Sequence, residues 1–448
     1  MLLNIDTAVD IKHDGAKKLN RIRFLEALVN SNLFVNFQGT LYILDDDCFV
    51  SPLCGSKATL LLRKHFSNDD NVIITNGLLK DTIKTLSELP CLNIKELNPP
   101  DYICLQNGLF SVHDGQLHSS VSDERNFFSI KIDAKFDPNA TLETAPVFSN
   151  FLKDTFQADE DSILLLQQIL GFTLTNIRTF KGAFFLIGVS GAGKSVLARF
   201  LRAVLPNTSA LSLQELSDKF RLAMLKNASA NICEEISSNK VTGFDVFKRI
   251  SSGDSIIIER KNAEPETFIS TAHLLYCGNF LPPLADADPL AILERIKLLY
   301  FGNSITADRR DPYLLEKLLA EKDTIVSWAL ASVPRLVKSK FQFATPQIAN
   351  DYLERYAIEV NSVSKFLKDC IRIEEDTNKK LHTKTLLSLY HAFCLRNAVQ
   401  PQSDQELKSA IGTLPGVLYS KFRIDGSAPA YGYKGLSVIS PQNEEATE

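Results

Sequence analysis

Several features that mark particular protein classes are missing from this chain of 448 residues. Its start lacks the basic and apolar segments of a signal peptide, and no apolar run is long enough to cross a bilayer. It has no low-complexity tract and no internal repeat. The eight cysteines form no C-x-x-C pair, and the seven histidines lack the spacing of metal ligands. These absences argue against a membrane protein, a disulfide scaffold and a zinc protein, so we expect a cytoplasmic location.

The charge balance is also unremarkable over the whole chain, with a formal net charge of −4. This value argues against a protein whose entire surface is coated with nucleic acid, although local basic regions remain compatible with it. Residues 361–440 are such a region, with eleven Lys and Arg against seven Asp and Glu. The length leaves room for roughly two to four domains.

One short segment carries the strongest chemical signal. Residues 188–195 read G-x-x-x-x-G-K-S, between an apolar strand at 183–187 and a helix at 195–205. Glycines let such a loop curl so that its N–H groups point at phosphate oxygens, while Lys194 reaches the β- and γ-phosphates and Ser195 ligates Mg²⁺. The segment predicts binding of ATP with Mg²⁺; a simple glycine-rich turn would leave Lys194 without a role. The residues predicted to hold the nucleotide are Gly188, Val189, Ser190, Gly191, Ala192, Gly193, Lys194 and Ser195.

Two adjacent acids follow the next apolar strand, about forty residues after the loop. The segment 230–235 reads ANICEE, which ends in Glu234 and Glu235. A nucleotide-hydrolysing enzyme needs one carboxylate for Mg²⁺ and another that orients the attacking water. We therefore predict that Glu234 supports the metal together with Ser195, and that Glu235 is the catalytic base. The alternative is an acidic, solvated helix start.

Two further polar residues stand at the ends of predicted strands. Asn279 follows the apolar strand 273–278, where its amide could hold the γ-phosphate or the attacking water. Arg295 precedes the strand 296–301 and could reach the ATP of a neighbouring subunit, where it would stabilise transition-state charge. Without the other motifs, Arg295 would be interpreted as an ordinary surface residue. Lys194, Glu235, Asn279 and Arg295 form the predicted catalytic set.

A basic turn lies between the acids and Asn279. Two β-like runs flank the sequence RKNAEP at 260–265, which predicts a hairpin with Arg260 and Lys261 near its tip. A cation on a protruding hairpin is suited to holding a phosphate backbone. The alternative is a charged surface turn.

The remaining pattern predicts mixed helices and strands on both sides of this core. Before the core, we predict helices at 16–30, 77–87 and 148–177, strands at 41–44, 71–74 and 127–132, and a hairpin within 102–118. After it, helices at 363–373, 384–397 and 403–414 precede strands at 417–424 and 431–438 with a turn at 425–426, which is the order of a winged helix. Its cations could bind duplex DNA, although winged helices also contact proteins: they are Lys408, Lys421, Arg423 and Lys434.

The order of these motifs is similar to that of superfamily 3 helicases, and most of all to the helicase part of poxvirus-type and phage- or plasmid-type primase-helicases. Residues 107–115 (NGLFSVHDG) resemble a signature that precedes the motor in that family, and 166–174 resemble its helical collar. Residues 252–254 and 279–282 resemble two further family stretches. One departure is Ala192, where the family often has Asn.

The resemblance implies an AAA+-like hexameric ring that moves on single-stranded DNA, usually 3′ to 5′. It assigns Lys261 to DNA in the pore, Asn279 to a sensor role and Arg295 to a finger acting in trans. The hundred N-terminal residues are too few for a fused primase domain, so we expect no primer synthesis and a separate primase as a partner.

The expected architecture is an α/β protein with an AAA+-like P-loop core. Its predicted divisions are an N-terminal α+β region at 1–100, a pre-motor domain and collar at 101–177, the ATPase core at 178–335, a linker at 336–360, a winged helix at 361–440 and a disordered tail at 441–448. We expect a replicative DNA helicase of a phage, satellite or plasmid. The alternatives are an ATP-gated initiator without processive unwinding and an AAA+ machine acting on protein, against which the basic hairpin argues.

Overall fold

A computed structural model gives the fold of the chain. It describes residues 8–11, 13, 17–45, 48–54, 58–64, 75–118, 126–157, 159–237, 244–261, 264–282, 293–306, 309–374, 376, 378–397, 399–424 and 428–439. The predicted strand at 71–74, the hairpin tip at 262–263, the turn at 425–426 and the tail at 441–448 lie outside the described residues. None of the helices in the described part is long and apolar enough to cross a membrane.

The N-terminal region combines small antiparallel sheets with three helices. Its elements are β1 (Val9–Ile11), β2 (Lys17–Leu19), α1 (Arg21–Asn30), β3 (Phe34–Phe37), β4 (Thr40–Leu44), β5 (Val50–Pro52), α2 (Ala58–Lys64) and α3 (Asn76–Ser87). Helix α1 begins later than predicted, because residues 17–19 pair with β1 and the Asn20 side chain caps the helix by accepting from the N–H groups of Ile22 and Arg23. Phe24, Leu28 and Ile43 anchor a separate core.

A three-stranded meander and two helices come next. They are β6 (Tyr102–Leu105), β7 (Gly108–Ser111), β8 (Leu117–His118), α4 (Pro146–Phe156) and α5 (Glu160–Thr173). The strand predicted at 127–132 is reduced to a single bridge between Phe49 and Phe128. The side chain of Asn98 explains this difference, since its oxygen accepts from the N–H groups of Ser129 and Ile130 and so takes the place of a neighbouring strand.

A four-stranded parallel sheet forms the centre of the chain. Its strands are β9 (Ala183–Gly188), β10 (Ala230–Cys233), β13 (His273–Gly278) and β14 (Ile296–Phe301), and their spatial order is β10-β13-β9-β14. The hairpin strands β11 (Ser255–Ile258) and β12 (Glu266–Ile269) pair antiparallel beside it. The helices of this part are α6 (Lys194–Val204), α7 (Lys219–Leu222), α8 (Phe244–Ser252), α9 (Leu314–Ala320), α10 (Lys322–Leu330), α11 (Val333–Lys338) and α12 (Gln347–Val360).

Two apolar cores cover the two faces of the parallel sheet. The core on the α6 side is shared with the preceding helices, since Phe148 and Leu166 belong to the same cluster as Phe184 and Leu201. The opposite core reaches into the segment predicted as a linker, where Tyr356 of α12 is buried and donates to the carbonyl of Pro282 at 2.6 Å. The core on the α6 side therefore draws on residues from Ile103 to Phe343.

The C-terminal module contains three helices and two small sheets. Its elements are α13 (Ser362–Cys370), β15 (Ile371–Ile373), β16 (Lys380–His382), α14 (Thr383–Arg396), α15 (Asp404–Gly412), β17 (Leu418–Phe422), β18 (Ala430–Lys434) and β19 (Leu436–Val438). The three predicted helices and the paired strands are present, but the first helix ends at Cys370 and residues 371–373 form β15. The last predicted strand is divided at Gly435, whose φ is +79°. Strand β16, which the sequence did not indicate, joins β18 and β17 in a three-stranded antiparallel sheet.

Candidate nucleotide-binding site

The glycine loop connects the carboxyl end of β9 to the first turn of α6. Gly188, Gly191 and Gly193 have φ values of +143°, +77° and +90°, a backbone region that other residues rarely adopt. Two of them also permit close packing. A Cβ on Gly188 would lie 2.1 Å from the carbonyl oxygen of Phe301, and one on Gly193 would lie 2.4 Å from the ring of Phe151. The positive φ values of the loop therefore favour glycine, and Phe301 and Phe151 leave no room for a side chain at Gly188 and Gly193.

Lys194 is the first residue of α6 and is buried beneath the loop. Its Nζ donates to the carbonyl oxygens of Gly188 at 2.7 Å and Val189 at 2.6 Å. It also donates to Oδ1 of Asn279 at 3.3 Å. Burial lowers the pKa of Lys194, because removal from water disfavours the charged ammonium. A desolvated cation beneath a glycine loop is an environment that favours a bound anion.

The strand order explains how Asn279 reaches the loop. Strand β13, which ends immediately before Asn279, lies between the loop-bearing β9 and the strand β10 that precedes the two acids. Since the carboxyl ends of parallel strands meet at one edge, the three predicted groups converge there. Sequence analysis predicted that each group follows a strand, and the order of the strands in the sheet brings the groups together.

The paired acids follow β10 at the same edge but differ in their surroundings. Glu234 is part of an ion-pair cluster with two arginines of α6, at 2.7 Å from Arg199 and 3.3 Å from Arg202. Glu235 is exposed. Carboxylate and hydroxyl oxygens are suitable ligands for Mg²⁺, so Glu234, Glu235 and Ser195 fit this ion chemically. The pairing of Glu234 with two cations is a feature that sequence analysis did not predict.

A cavity of about 890 Å³ opens at this edge of the sheet. Its walls include residues 190–195, Glu234, Glu235 and Asn279. Most of the predicted nucleotide and catalytic residues therefore face a single space of a size suited to a small-molecule ligand. Gly188 and Val189 stand behind the wall, where their carbonyl oxygens contact Lys194.

Arg295 lies at the other end of the sheet. Its carbonyl accepts from the N–H of Ala183, the first residue of β9, whereas Gly188 at the far end of β9 is opposite Phe301. Six residues of strand separate the two positions, or roughly 20 Å at the usual rise. Within one chain, Arg295 does not join the cavity.

The structure adds residues that the sequence analysis missed. After β14, the chain returns across the glycine loop. Ser304 Oγ donates to the carbonyl oxygen of Ser190 at 2.9 Å, and the N–H of Ile305 donates to the carbonyl oxygen of Gly191 at 3.3 Å. This segment brings Arg310 into the cavity wall, with its guanidinium against Gly191. Its only sequence signal was a pair of arginines after a strand, which by itself indicates no function.

The predicted DNA-binding residues of the hairpin are exposed. Arg260 and Lys261 follow β11, and Arg260 lies 4.0 Å from Glu266 at the start of β12. Ile257 and Ile269 are also exposed on these strands, at 46% and 59% of their surface. The hairpin therefore presents both cations and apolar side chains.

The C-terminal cations are not on one surface. Lys421 of β17 lies 5.9 Å from the ring of Tyr431, which stacks on Tyr419. Lys434 of β18 pairs in register with Leu418 and so projects from the opposite face of the sheet. The others, Lys408 and Arg423, are exposed.

Comparison with known proteins gives partial matches. Residues 56–157 match a family model described as D5 N terminal like, and residues 186–295 match that of a family of unknown function, DUF5906. No curated protein has a significant match to the chain. These findings support a likeness to D5-type primase-helicases, a replication-protein family.

The fold is shared with solved structures of the C-terminal region of NrS-1. Two apo structures of that region align over 92% of this chain and 98% of their own, with TM-scores of 0.52 and 0.51 and identities of 12% and 13%. At this level of identity the similarity concerns the fold. It shows that a mixed α/β arrangement extends through nearly the whole chain.

Proposed function

We propose that the chain is an ATP-dependent DNA helicase of superfamily 3 that moves on single-stranded DNA during replication of a phage, satellite or plasmid. One observation carries the proposal. Lys194 of the glycine loop contacts Asn279 from the adjacent strand, in a cavity that both predicted acids also line. A buried lysine, an amide and carboxylates at the edge of a parallel sheet are the groups that phosphoryl transfer to water requires.

In this proposal the loop residues 188–195 bind the phosphates of ATP. Lys194 contributes charge to the phosphate chain, and Ser195 and Glu234 are the residues that would hold Mg²⁺. The ion supplies neutralisation of phosphate charge when it is bound. Glu235 accepts a proton from the attacking water, which Asn279 helps to orient.

Arg295 would complete the site of a neighbouring subunit. Its position at the amino end of the sheet separates it from the loop of its own chain, so a catalytic role requires a second copy. We propose that this second copy belongs to an AAA+-like ring of six subunits.

The hairpin would transmit nucleotide-dependent motion to DNA. Arg260 and Lys261 are exposed beside short strands close to the sheet, where they could hold successive phosphates of one strand. The C-terminal module has the element order of a winged helix. The exposed Tyr419 and Tyr431, together with Lys421, give it a surface able to contact nucleic acid, which includes duplex DNA at an origin.

A strand-displacement assay tests the proposal. The full chain should hydrolyse ATP faster with single-stranded DNA and should separate a labelled forked duplex, while Lys194→Ala does neither. The double variant Arg260→Ala/Lys261→Ala should retain ATP binding but lose DNA stimulation. Hydrolysis without displacement would reject the helicase and favour an initiator, and hydrolysis that ignores DNA would favour a protein-directed machine.

A further inference from the structure

We propose that Arg310 binds the phosphate chain of the nucleotide in cis, as a second cation opposite Lys194. This inference rests on the proposed function, because it concerns the same cavity. Arg310 belongs to the segment after β14 and lines the cavity. A Cβ built on Gly191 would lie 2.3 Å from its Nη2, so the guanidinium rests directly against the phosphate-binding loop.

The path of the chain fixes Arg310 in this position. Ser304 and Ile305 are tied to the backbone of the loop, as described above, and Nε of Arg310 donates to the carbonyl of Ile305 at 3.0 Å. The guanidinium is therefore held by its Nε. Its terminal Nη groups are directed to the loop and the cavity.

The charge of Arg310 has no counterion among the residues that the structure describes. Its neighbour Arg309 has one, since Nη2 of Arg309 lies 3.1 Å from a carboxylate oxygen of Asp154 in α4. Asp311 follows Arg310 directly, but its carboxylate accepts from Lys317 at 2.5 Å and from the N–H of Tyr313 at 3.0 Å. These contacts lower the pKa of Asp311, and its carboxylate is already paired with Lys317.

A guanidinium that lacks a carboxylate partner and faces a phosphate-binding loop is matched to a phosphate oxygen. Arg can donate two parallel hydrogen bonds to such a group, and charge-assisted bonds are stronger than neutral ones. Lys194 approaches from beneath the loop and Arg310 from the side of Gly191, so the two cations would hold the phosphate chain between them.

Equilibrium binding of ATP and ADP with Mg²⁺ to the full chain tests the inference. Arg310→Ala should weaken ATP binding roughly tenfold to a hundredfold, as loss of a charge-assisted hydrogen bond predicts. Arg309→Ala is the matched control: it removes a cation one residue away whose partner is Asp154, and its affinity should stay within about twofold of wild type. Arg310→Lys should restore part of the affinity, and melting temperatures should show that every variant is folded.

Salt dependence separates a direct contact from an indirect effect on the loop. The ratio of affinities between wild type and Arg310→Ala should shrink as ionic strength rises, because salt screens a charge contact. A ratio independent of salt, or equal affinities for Arg310→Ala and Arg309→Ala, would overturn the inference alone. Wild-type protein that binds no ATP would instead reject the proposed function and the inference with it.

Discussion

The two ends of the parallel sheet carry similar kinds of side chain in opposite surroundings. At the carboxyl end, Lys194, Asn279 and Arg310 line an open cavity beside two carboxylates. At the amino end, Arg178 and His273 are packed together beneath the ring of Phe172, and Arg178 donates to the carbonyl of Ile177 at 3.0 Å. Burial lowers the pKa of Arg178 to about 9 and lowers that of His273 as well.

This contrast distinguishes cations available to a ligand from cations used within the fold. Both ends contain desolvated positive groups, so a shifted pKa alone does not identify the site. The difference is geometric: one end has a cavity of about 890 Å³, whereas the space beside Arg178 at the other end is about 30 Å³. Arg295 shares the amino end and can act on nucleotide only outside its own chain.

The largest effect of a substitution is expected at the carboxyl end of the sheet, which we call the open end because the cavity lies there. Lys194→Ala should lower ATP hydrolysis by more than about 1000-fold, because the loop loses its charge-assisted contact with phosphate both in nucleotide binding and in the transition state. Removal of a buried cation should leave the melting temperature unchanged or raise it. ATPase rates and thermal melting measured on the same preparations check both parts. A variant that loses activity because it is unfolded would contradict the assignment of Lys194 to the ligand.

The next largest effect is expected at the amino end of the sheet, which we call the closed end. Arg295→Ala should lower hydrolysis about 1000-fold, the scale of a finger arginine, while ATP binding is retained. Mixing it with Lys194→Ala should restore activity, because a site formed between the two variants has one intact Lys194 and one intact Arg295. Lys181→Ala, which removes an exposed cation near the same end, is the control and should be active. Absence of complementation in mixed assemblies would reject a role in trans.

A smaller effect concerns the packing that shapes the open end. Gly188→Ala should reduce the free energy of unfolding by about 3 kcal/mol, since the added methyl would overlap the carbonyl of Phe301 at a strained φ. Gly253→Ala is the matched control. Gly253 also has a positive φ, at +74°, but no atom lies within 4 Å of a Cβ there, so only about 1 kcal/mol of backbone strain is expected. Urea denaturation of both variants measures the difference, and equal losses would show that contact with Phe301 is unimportant.

The smallest effect is a pH dependence of stability at the closed end. The pKa of His273 in the folded chain lies well below its ordinary value of 6.5. The unfolded chain therefore binds a proton below pH 6.5 that the folded chain does not, and stability falls as pH drops, by up to about 1.4 kcal/mol per pH unit. His273→Asn should lose this contribution. Melting curves at pH 7.5 and 5.5 should show a smaller acid shift for the variant, and identical shifts would contradict the assignment.

The chemistry of the open end was largely predictable from sequence because each group follows a local pattern. The strands at 183–188, 273–278 and 296–301 are largely apolar, as buried parallel strands are, with His273 and Lys297 as the exceptions, and Lys194 and Asn279 follow two of them. The spacing of loop, acids and Asn279 then predicted their order along the chain. Their convergence depended on a strand order that only the structure provides.

Other contacts depend on pairing between distant segments and left no local signal. Glu234 is paired with arginines more than thirty residues earlier in the chain, and Arg310 reaches Gly191 because the chain turns back after β14. The start of α1 was misplaced for a similar reason. Residues 17–19 have helical composition, but in the structure they pair with β1 and the helix begins after the Asn20 cap.

The core on the α6 side, which draws on residues from Ile103 to Phe343, limits how the chain could be divided for expression. A fragment beginning at 178, just before the glycine-loop strand, would leave Phe184 and Leu201 without the side chains of α4 and α5 that cover them. Such a fragment would expose a broad apolar surface and would be prone to aggregation. The smallest piece suited to recombinant production must therefore begin before residue 103 and continue beyond residue 343.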